Sequence, residues 1–317
     1  MTQIAPRPIH KDVVVAIAIT TLVAMAALYL RLLGPFVGLF VPLPILFYRA
    51  KLGRSSGLLI LMAASLIVAT LLGRHSLVNA AFLFEVGLVG LILPELFEMD
   101  LSVEKTVGIT TGVIITTGGL MLALYSLVSA TSPWAVASNY LKHSAEVAIA
   151  IYSEMGASEE DIGIAARSME GIVYIALRIL PSIVIVATLF LVWSNLLLAR
   201  RLFQSKRLFY PDFGKLNHWK APERFVWIAI GSGILLFFGH PVLTMIGING
   251  LIVMTMIYFF QGIAIVSFYF EKKQFPRLLR ILLYGLIAMQ QLLLLLVIVA
   301  GFFDIWINFR RERKVAD

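Results

Sequence analysis

The chain has 317 residues, 60% hydrophobic and 14% charged, with 26 Lys and Arg against 18 Asp and Glu and no cysteine. A soluble domain carries roughly a quarter charged residues, so a chain this apolar lacks the polar surface of a soluble fold and reads as a polytopic membrane protein. The lack of cysteine excludes disulfides, thiolate metal sites and cysteine nucleophiles, and the net charge of +8 is read as membrane orientation rather than a nucleic-acid footprint.

Apolar runs predict helices over 13–33, 35–49, 56–73, 77–97, 104–130, 171–203, 225–239, 245–270 and 278–307. The first is too long for a signal-peptide core and lacks a small-residue cleavage site, so it is expected to be retained. Gly34-Pro35 ends it. The second run is short and holds Pro42 and Pro44, which predicts a kinked or incompletely spanning helix. RAKLGRSSG (49–57) reads as a basic turn, Gly73-Arg74-His75-Ser76 closes a hairpin, and Gly239-His240-Pro241 breaks the chain before the eighth run.

Residues 131–170 form the largest insertion outside the membrane. Pro133 is expected to open an amphipathic helix, and Ser158 reads as an N-cap with Glu159, Glu160 and Asp161 in the first turn, where they oppose the helix dipole. The insertion holds six acidic residues against two basic ones. It reads either as a helical hairpin on the outer membrane surface or as a lid over an outward-facing cavity.

Orientation follows from the basic residues. With the N-terminus inside, 17 of the 26 fall on the cytoplasmic side: Arg7, Lys11, Arg49, Lys51, Arg54, Lys105, the seven from Arg200 to Arg224, and Lys272, Lys273, Arg277 and Arg280. Arg31, Arg74, Lys142 and Arg167 fall outside, an asymmetry the positive-inside rule predicts for a bacterial inner-membrane protein. Nine passes would strand the tail FRRERK (309–314) outside. Either the last segment or the short second run does not simply cross, or the tail is an exception, so eight or nine helices are expected.

An acidic SEED (158–161), a helix containing Pro181, WSNLLLARRL (193–202), the loop YPDFGKLNHWKAPERFVW (210–227), Gln261-Gly262 and GFFDIWINFRR (301–311) together resemble the YybS-like family of bacterial membrane proteins, whose function is unknown. PFVGLFVPLPILFYRAKLGRSSGLL (35–59) is similar to the opening of the six-helix substrate-binding S-components of energy-coupling-factor vitamin transporters, and to rod-shape membrane proteins. The second likeness implies an all-α bundle with an S-component-like six-helix core over 1–203, including the 131–170 insertion. A basic-aromatic cytoplasmic loop, 204–224, and C-terminal helices with a basic tail, 225–317, would then follow. Neither resemblance carries catalytic residues over to this chain.

No phosphate-binding loop, zinc helix or nucleophile elbow is present, so the sequence predicts a non-enzymatic protein with no cofactor. The five histidines, His10, His75, His143, His218 and His240, are scattered over termini and loops. An intramembrane enzyme acting on lipid would require Glu85 or Asp304 to meet a second polar group in a lipid-accessible cleft.

Polar groups inside the membrane are costly and mark candidate sites. Glu85 and Arg178 are expected at similar depth. Arg178 then snorkels to the outer headgroups, pairs with Glu85, or binds an anionic substrate. On the fifth predicted helix, Gly108, Gly112, Thr116 and Gly119 share one face, which suits close helix packing or a substrate groove. Asn195, Asn249, Gln261, Gln290 and Gln291 are further candidates, with Gln261 beside Gly262 the best placed. The aromatics Phe203, Phe209, Tyr210, Phe213 and Trp219 among basic residues suit an anionic headgroup surface or a protein-docking platform. The expected partners are the lipid bilayer, a small-molecule ligand and other membrane proteins, without nucleic acid. The leading reading is S-component-like small-molecule binding or transport; the alternative is a scaffold for cell-envelope or rod-shape proteins.

Overall fold

The computed structural model describes residues 9–30, 33–72 and 76–310. Among these residues the fold is all-α, with no strand. The helices are α1 (Ile9–Tyr29), α2 (Gly34–Gly38), α3 (Pro42–Leu52), α4 (Arg54–Leu72), α5 (Ser76–Glu98), α6 (Val103–Ser129), α7 (Pro133–Glu154), α8 (Glu159–Lys206), α9 (Phe225–Leu235), α10 (Pro241–Lys272), α11 (Arg277–Met289) and α12 (Gln291–Ile307). His75 and the tail beyond Arg310 lie outside the described residues. Seven helices or helix pairs are long and apolar enough to cross a bilayer; α9 is shorter, and α11 and α12 are bent by 99°. Leu22, Leu66, Phe82 and Ile281 are all exposed, as expected where the solvent is lipid and backbone groups pair within helices.

The chain divides into two compact units, Met1–Pro133 with Ala187–Asp212, and Trp134–Val186 with Phe213–Asp317. Helix α8 contributes to both. Its 48 residues measure about 72 Å, against a hydrocarbon core of about 30 Å. It begins well before the predicted 171 because Ser158 caps it: the Asp161 backbone N–H donates to Ser158 Oγ at 3.1 Å.

The first unit is centred on α3, α4 and α5, with Ile45, Leu46, Ile60 and Leu61 fully buried. Glycines permit the close approach: a Cβ on Gly90 would lie 2.9 Å from Ile45 Cβ, and one on Gly57 would lie 2.6 Å from Arg49 Cβ. The predicted second helix is two pieces, α2 and α3, separated at Leu39–Val41 with Pro42 starting the second. At the ends of α3 to α5, Arg49 pairs with Glu95 and Glu98, and Arg54 pairs with Glu95. The basic turn is thus bolted to the end of α5, with Arg49 only 3% exposed.

In the second unit α9 and α12 pack on α10, around Val226, Ala229, Met254 and Tyr258. Gly262 and Gly301 have no room for side chains: a Cβ on either would run into the backbone carbonyl of Val297 or Tyr258 respectively. Seven residues beyond Gly262 and eight beyond Gly301, the Tyr269 hydroxyl donates to the Phe309 carbonyl at 2.8 Å. Helices α10 and α12 therefore run in the same direction and finish at the same end. The predicted single run 278–307 is consequently not a crossing. It leaves that end as α11, turns at the extended Gln290 (φ −100°, ψ 108°), and comes back as α12. This puts Arg310 beside the 217–221 loop.

Candidate functional site

Glu85 lies nine residues into α5, about 14 Å along its axis at 1.5 Å per residue. Its Oε1 accepts the Thr117 hydroxyl of α6 at 2.7 Å. The same hydroxyl lies 2.9 Å from the Val113 carbonyl and 3.1 Å from that of Ile114, so its single proton is shared among three acceptors. Glu85 Oε2 is buried with no hydrogen-bond partner. Gly118 opens space beside it, because a Cβ there would sit 3.3 Å from Oε1.

The small-residue face of α6 is not a packing face within the described chain. A Cβ on Gly108, Gly112 or Gly119 would meet nothing within 4 Å, and the Thr116 hydroxyl turns back to the Gly112 carbonyl at 2.7 Å. The buried face is the one with Thr106, Thr110 and Thr111.

Asn195 is fully buried in the first unit. Its Nδ2 donates to Leu39 O at 3.0 Å and to Leu191 O at 2.9 Å, so it satisfies a carbonyl at the α2–α3 break that Pro42, lacking an N–H, could not. Its Oδ1 has no partner.

In the second unit Asn249 does the same work at Pro181. Its Oδ1 accepts the Ser182 backbone N–H at 2.9 Å, and its Nδ2 donates to the carbonyls of Arg178 and Met245, both at 2.8 Å. The Arg178 guanidinium lies 3.4 Å over the Tyr174 ring, with Nη1 3.5 Å from the Tyr174 carbonyl. The side chain thus folds back one turn along its own helix, the posture of a snorkelling arginine with cation–π support. Glu85 and Arg178 belong to different units, and each is engaged within its own.

Gln261 holds the most connected position. Its Oε1 accepts the Ala221 N–H at 3.0 Å and its Nε2 donates to Asp304 Oδ2 at 3.1 Å. Asp304 also takes Arg310 Nη2 at 2.5 Å and the Phe309 N–H at 2.9 Å. Arg310 Nη1 reaches the carbonyls of Asn217 and Trp219 at 3.0 and 2.7 Å. Asp304 is fully buried and Arg310 is 5% exposed, so the network is closed to lipid and clamps the loop to α10 and α12. Sequence reading found Gln261 but not its role with Asp304 and Arg310; the signal was a carboxylate and an arginine flanking an apolar helix end.

The loop aromatics are mostly internal rather than laid on a headgroup surface. Phe203 and Tyr210 pack edge-on against Phe97 in the first unit, and Trp219 packs into the core of the second. Burial pushes the Tyr210 hydroxyl far above its ordinary pKa, so it stays a donor, to Leu196 O at 3.1 Å. Phe209, 62% exposed, is open to a headgroup surface. Within the second unit, Trp227 and Trp306, both exposed, lie at the loop end of α9 and α12, where aromatic rings mark a membrane interface. An open apolar groove of about 800 Å³ runs along α1 between Val14 and Leu30, with Ile67 of α4; Glu85 is not part of it.

Apolar helices whose few polar groups are paired off against helix breaks and one another define an all-α, multi-pass membrane protein. Residues 18–305 match the family of predicted membrane proteins DUF2232, and the chain belongs to that family. No curated protein and no solved structure matches it.

Proposed function

We propose that this protein is a non-enzymatic small-molecule binding or transport component, with its site at Glu85, Thr117 and Gly118. One observation carries the reading: an intramembrane carboxyl has an oxygen that nothing in the described chain satisfies. Such groups are expensive in a bilayer and persist where they serve a ligand or a relay. The likeness of residues 35–59 to S-components supports it. The distribution of basic residues supports a place in the bacterial inner membrane with the N-terminus cytoplasmic, and the contact of Arg310 with the basic 217–221 loop agrees with that reading.

The test is thermal unfolding of the purified chain in detergent against a panel of vitamins, amines and amino acids. A bound compound at 100 times its Kd stabilises by about 2.7 kcal/mol. Stabilisation by one compound that Glu85→Gln abolishes is the expected result. If every compound shifts both proteins equally, the reading is wrong.

The alternative, a scaffold for cell-envelope proteins, is favoured by α7, which has no buried residue, and by the exposed Trp134, Tyr140, Ile151 and Ile164 of α7 and early α8. Photo-crosslinkers at Tyr140 and Ile151 that yield no discrete adduct in cells would remove it.

A further inference from the structure

We propose that Glu85 binds one monovalent cation, inorganic or a primary ammonium, in exchange for a proton. This rests on the reading of Glu85 as a binding site and names the class of its ligand. A carboxylate at this depth meets only neutral donors, the Thr117 hydroxyl, shared with two backbone carbonyls, and the backbone of Gly118. Neutral donors alone do not offset a full negative charge in a low-dielectric medium.

Among the described residues, no cationic side chain on the helices packed against α5 is free to do so. The titratable groups on the helices packed against α5 are Tyr48, Arg49 and Lys51 of α3, Arg54 of α4, and Glu104, Lys105 and Tyr125 of α6. Arg49 and Arg54 are committed to Glu95 and Glu98, ten and thirteen residues further along α5, and Lys51 to Asp12. Lys105 stands twelve residues from Thr117, about 18 Å along α6. On α8, which meets α5 through Phe203 and Phe97, Arg200 and Arg201 lie at the same end as Glu98. Among the described residues, no side chain of this unit compensates the charge.

The donor set defines what fits. Both Glu85 oxygens and Thr117 Oγ1 are hard oxygen ligands, suited to an alkali cation or to an ammonium that donates to them. A divalent ion would leave excess positive charge, because no second carboxylate lies near. Gly118 leaves the space, which any side chain there would narrow. The exchange balances: the protonated carboxyl releases one proton to solvent as the carboxylate takes one monovalent cation, and nothing is oxidised or reduced.

Dicyclohexylcarbodiimide reacts with protonated carboxyls and enters from lipid, so it reads the proton-bound fraction. The full chain in nanodiscs is labelled in sodium, potassium, methylammonium or N-methylglucamine chloride, and the peptide bearing Glu85 is quantified by mass. Labelling is expected in N-methylglucamine, to rise as pH falls, and to drop about tenfold in one of the other salts when that ion is present at roughly ten times its Kd. Glu85→Gln should remove the label, while Gly118→Ala, which keeps every charge, should weaken protection by the cation. Equal labelling in all four salts overturns the cation proposal. If a neutral or anionic compound from the thermal panel then protects Glu85, the binding reading survives without it; no labelling at any pH and no panel hit would sink both.

Discussion

The side-chain amide of Asn249 stands between the Arg178 carbonyl and the Ser182 N–H, donating to one at 2.8 Å and accepting from the other at 2.9 Å. In an uninterrupted helix those two backbone groups would bond each other. Pro181 between them removes one rung of the helix and its ring crowds the Leu177 carbonyl, which loosens the ladder there, and in lipid a backbone group has no water to fall back on. Asparagine is suited to the gap because its amide offers both a donor and an acceptor.

Asn249→Leu takes the amide away from both groups, and each costs about 1–3 kcal/mol when left buried without a partner. The expected loss is therefore up to about 2–6 kcal/mol, read as a lower unfolding midpoint in detergent. Pro181→Ala in the same chain lets Ser182 bond Arg178 directly and should restore most of the loss. A double mutant no more stable than Asn249→Leu alone would mean that the amide does not act through the proline break.

The Asp304–Arg310 pair makes a different prediction, because its charges are buried. Arg310→Met strands the Asp304 carboxylate, and breaking a buried pair in this way costs about 3–5 kcal/mol. Asp304→Leu with Arg310→Met removes both charges and should cost less than the sum of the single changes. Strict additivity in the unfolding midpoints would show that the two do not interact.

The glycines divide into two groups. At Gly262 and Gly301 an added Cβ runs into backbone, so alanine must separate α10 from α12, a distortion of the kind that costs about 1–3 kcal/mol. At Gly108 and Gly119 it meets nothing, and alanine there should be neutral or stabilise by up to about 1 kcal/mol through helix propensity. Destabilisation by Gly108→Ala or Gly119→Ala instead would reveal a neighbouring helix against α6, from a partner.

How much of this was legible in the sequence depends on what each signal reports. Helix positions were, because runs such as 56–73 and 245–270 need only composition and length. The N-cap at Ser158 was, because its chemistry is local. The direction of α12 was not: a continuous apolar run looks the same whether it crosses or turns, and Gln290-Gln291 gave no length or charge cue. The pairing of Gln261 with Asp304 and Arg310, 43 and 49 residues away, required the α10–α12 crossing. For Thr116 the small-residue pattern was real, yet no described helix of the first unit packs on it. The spare oxygen of Glu85 could not be read at all, since burial of a single atom is a tertiary property.

The return of α12 makes a topological prediction that the cysteine-free sequence makes simple to test. Lys273 follows α10 and Asn308 follows α12, and the Tyr269–Phe309 contact places the two at one end of the second unit. Asn139 lies on exposed α7, which a crossing count from the basic loops assigns to the opposite side. Lys273→Cys and Asn308→Cys should therefore react with a membrane-impermeant maleimide only after the cytoplasmic face of oriented vesicles is exposed, and Asn139→Cys only from the other face. A single crossing through residues 278–307 would instead make Asn308→Cys label together with Asn139→Cys. That outcome is incompatible with Tyr269 and Phe309 being hydrogen-bonded, so the labelling pattern tests the packing of α12 on α10 as directly as it tests the topology.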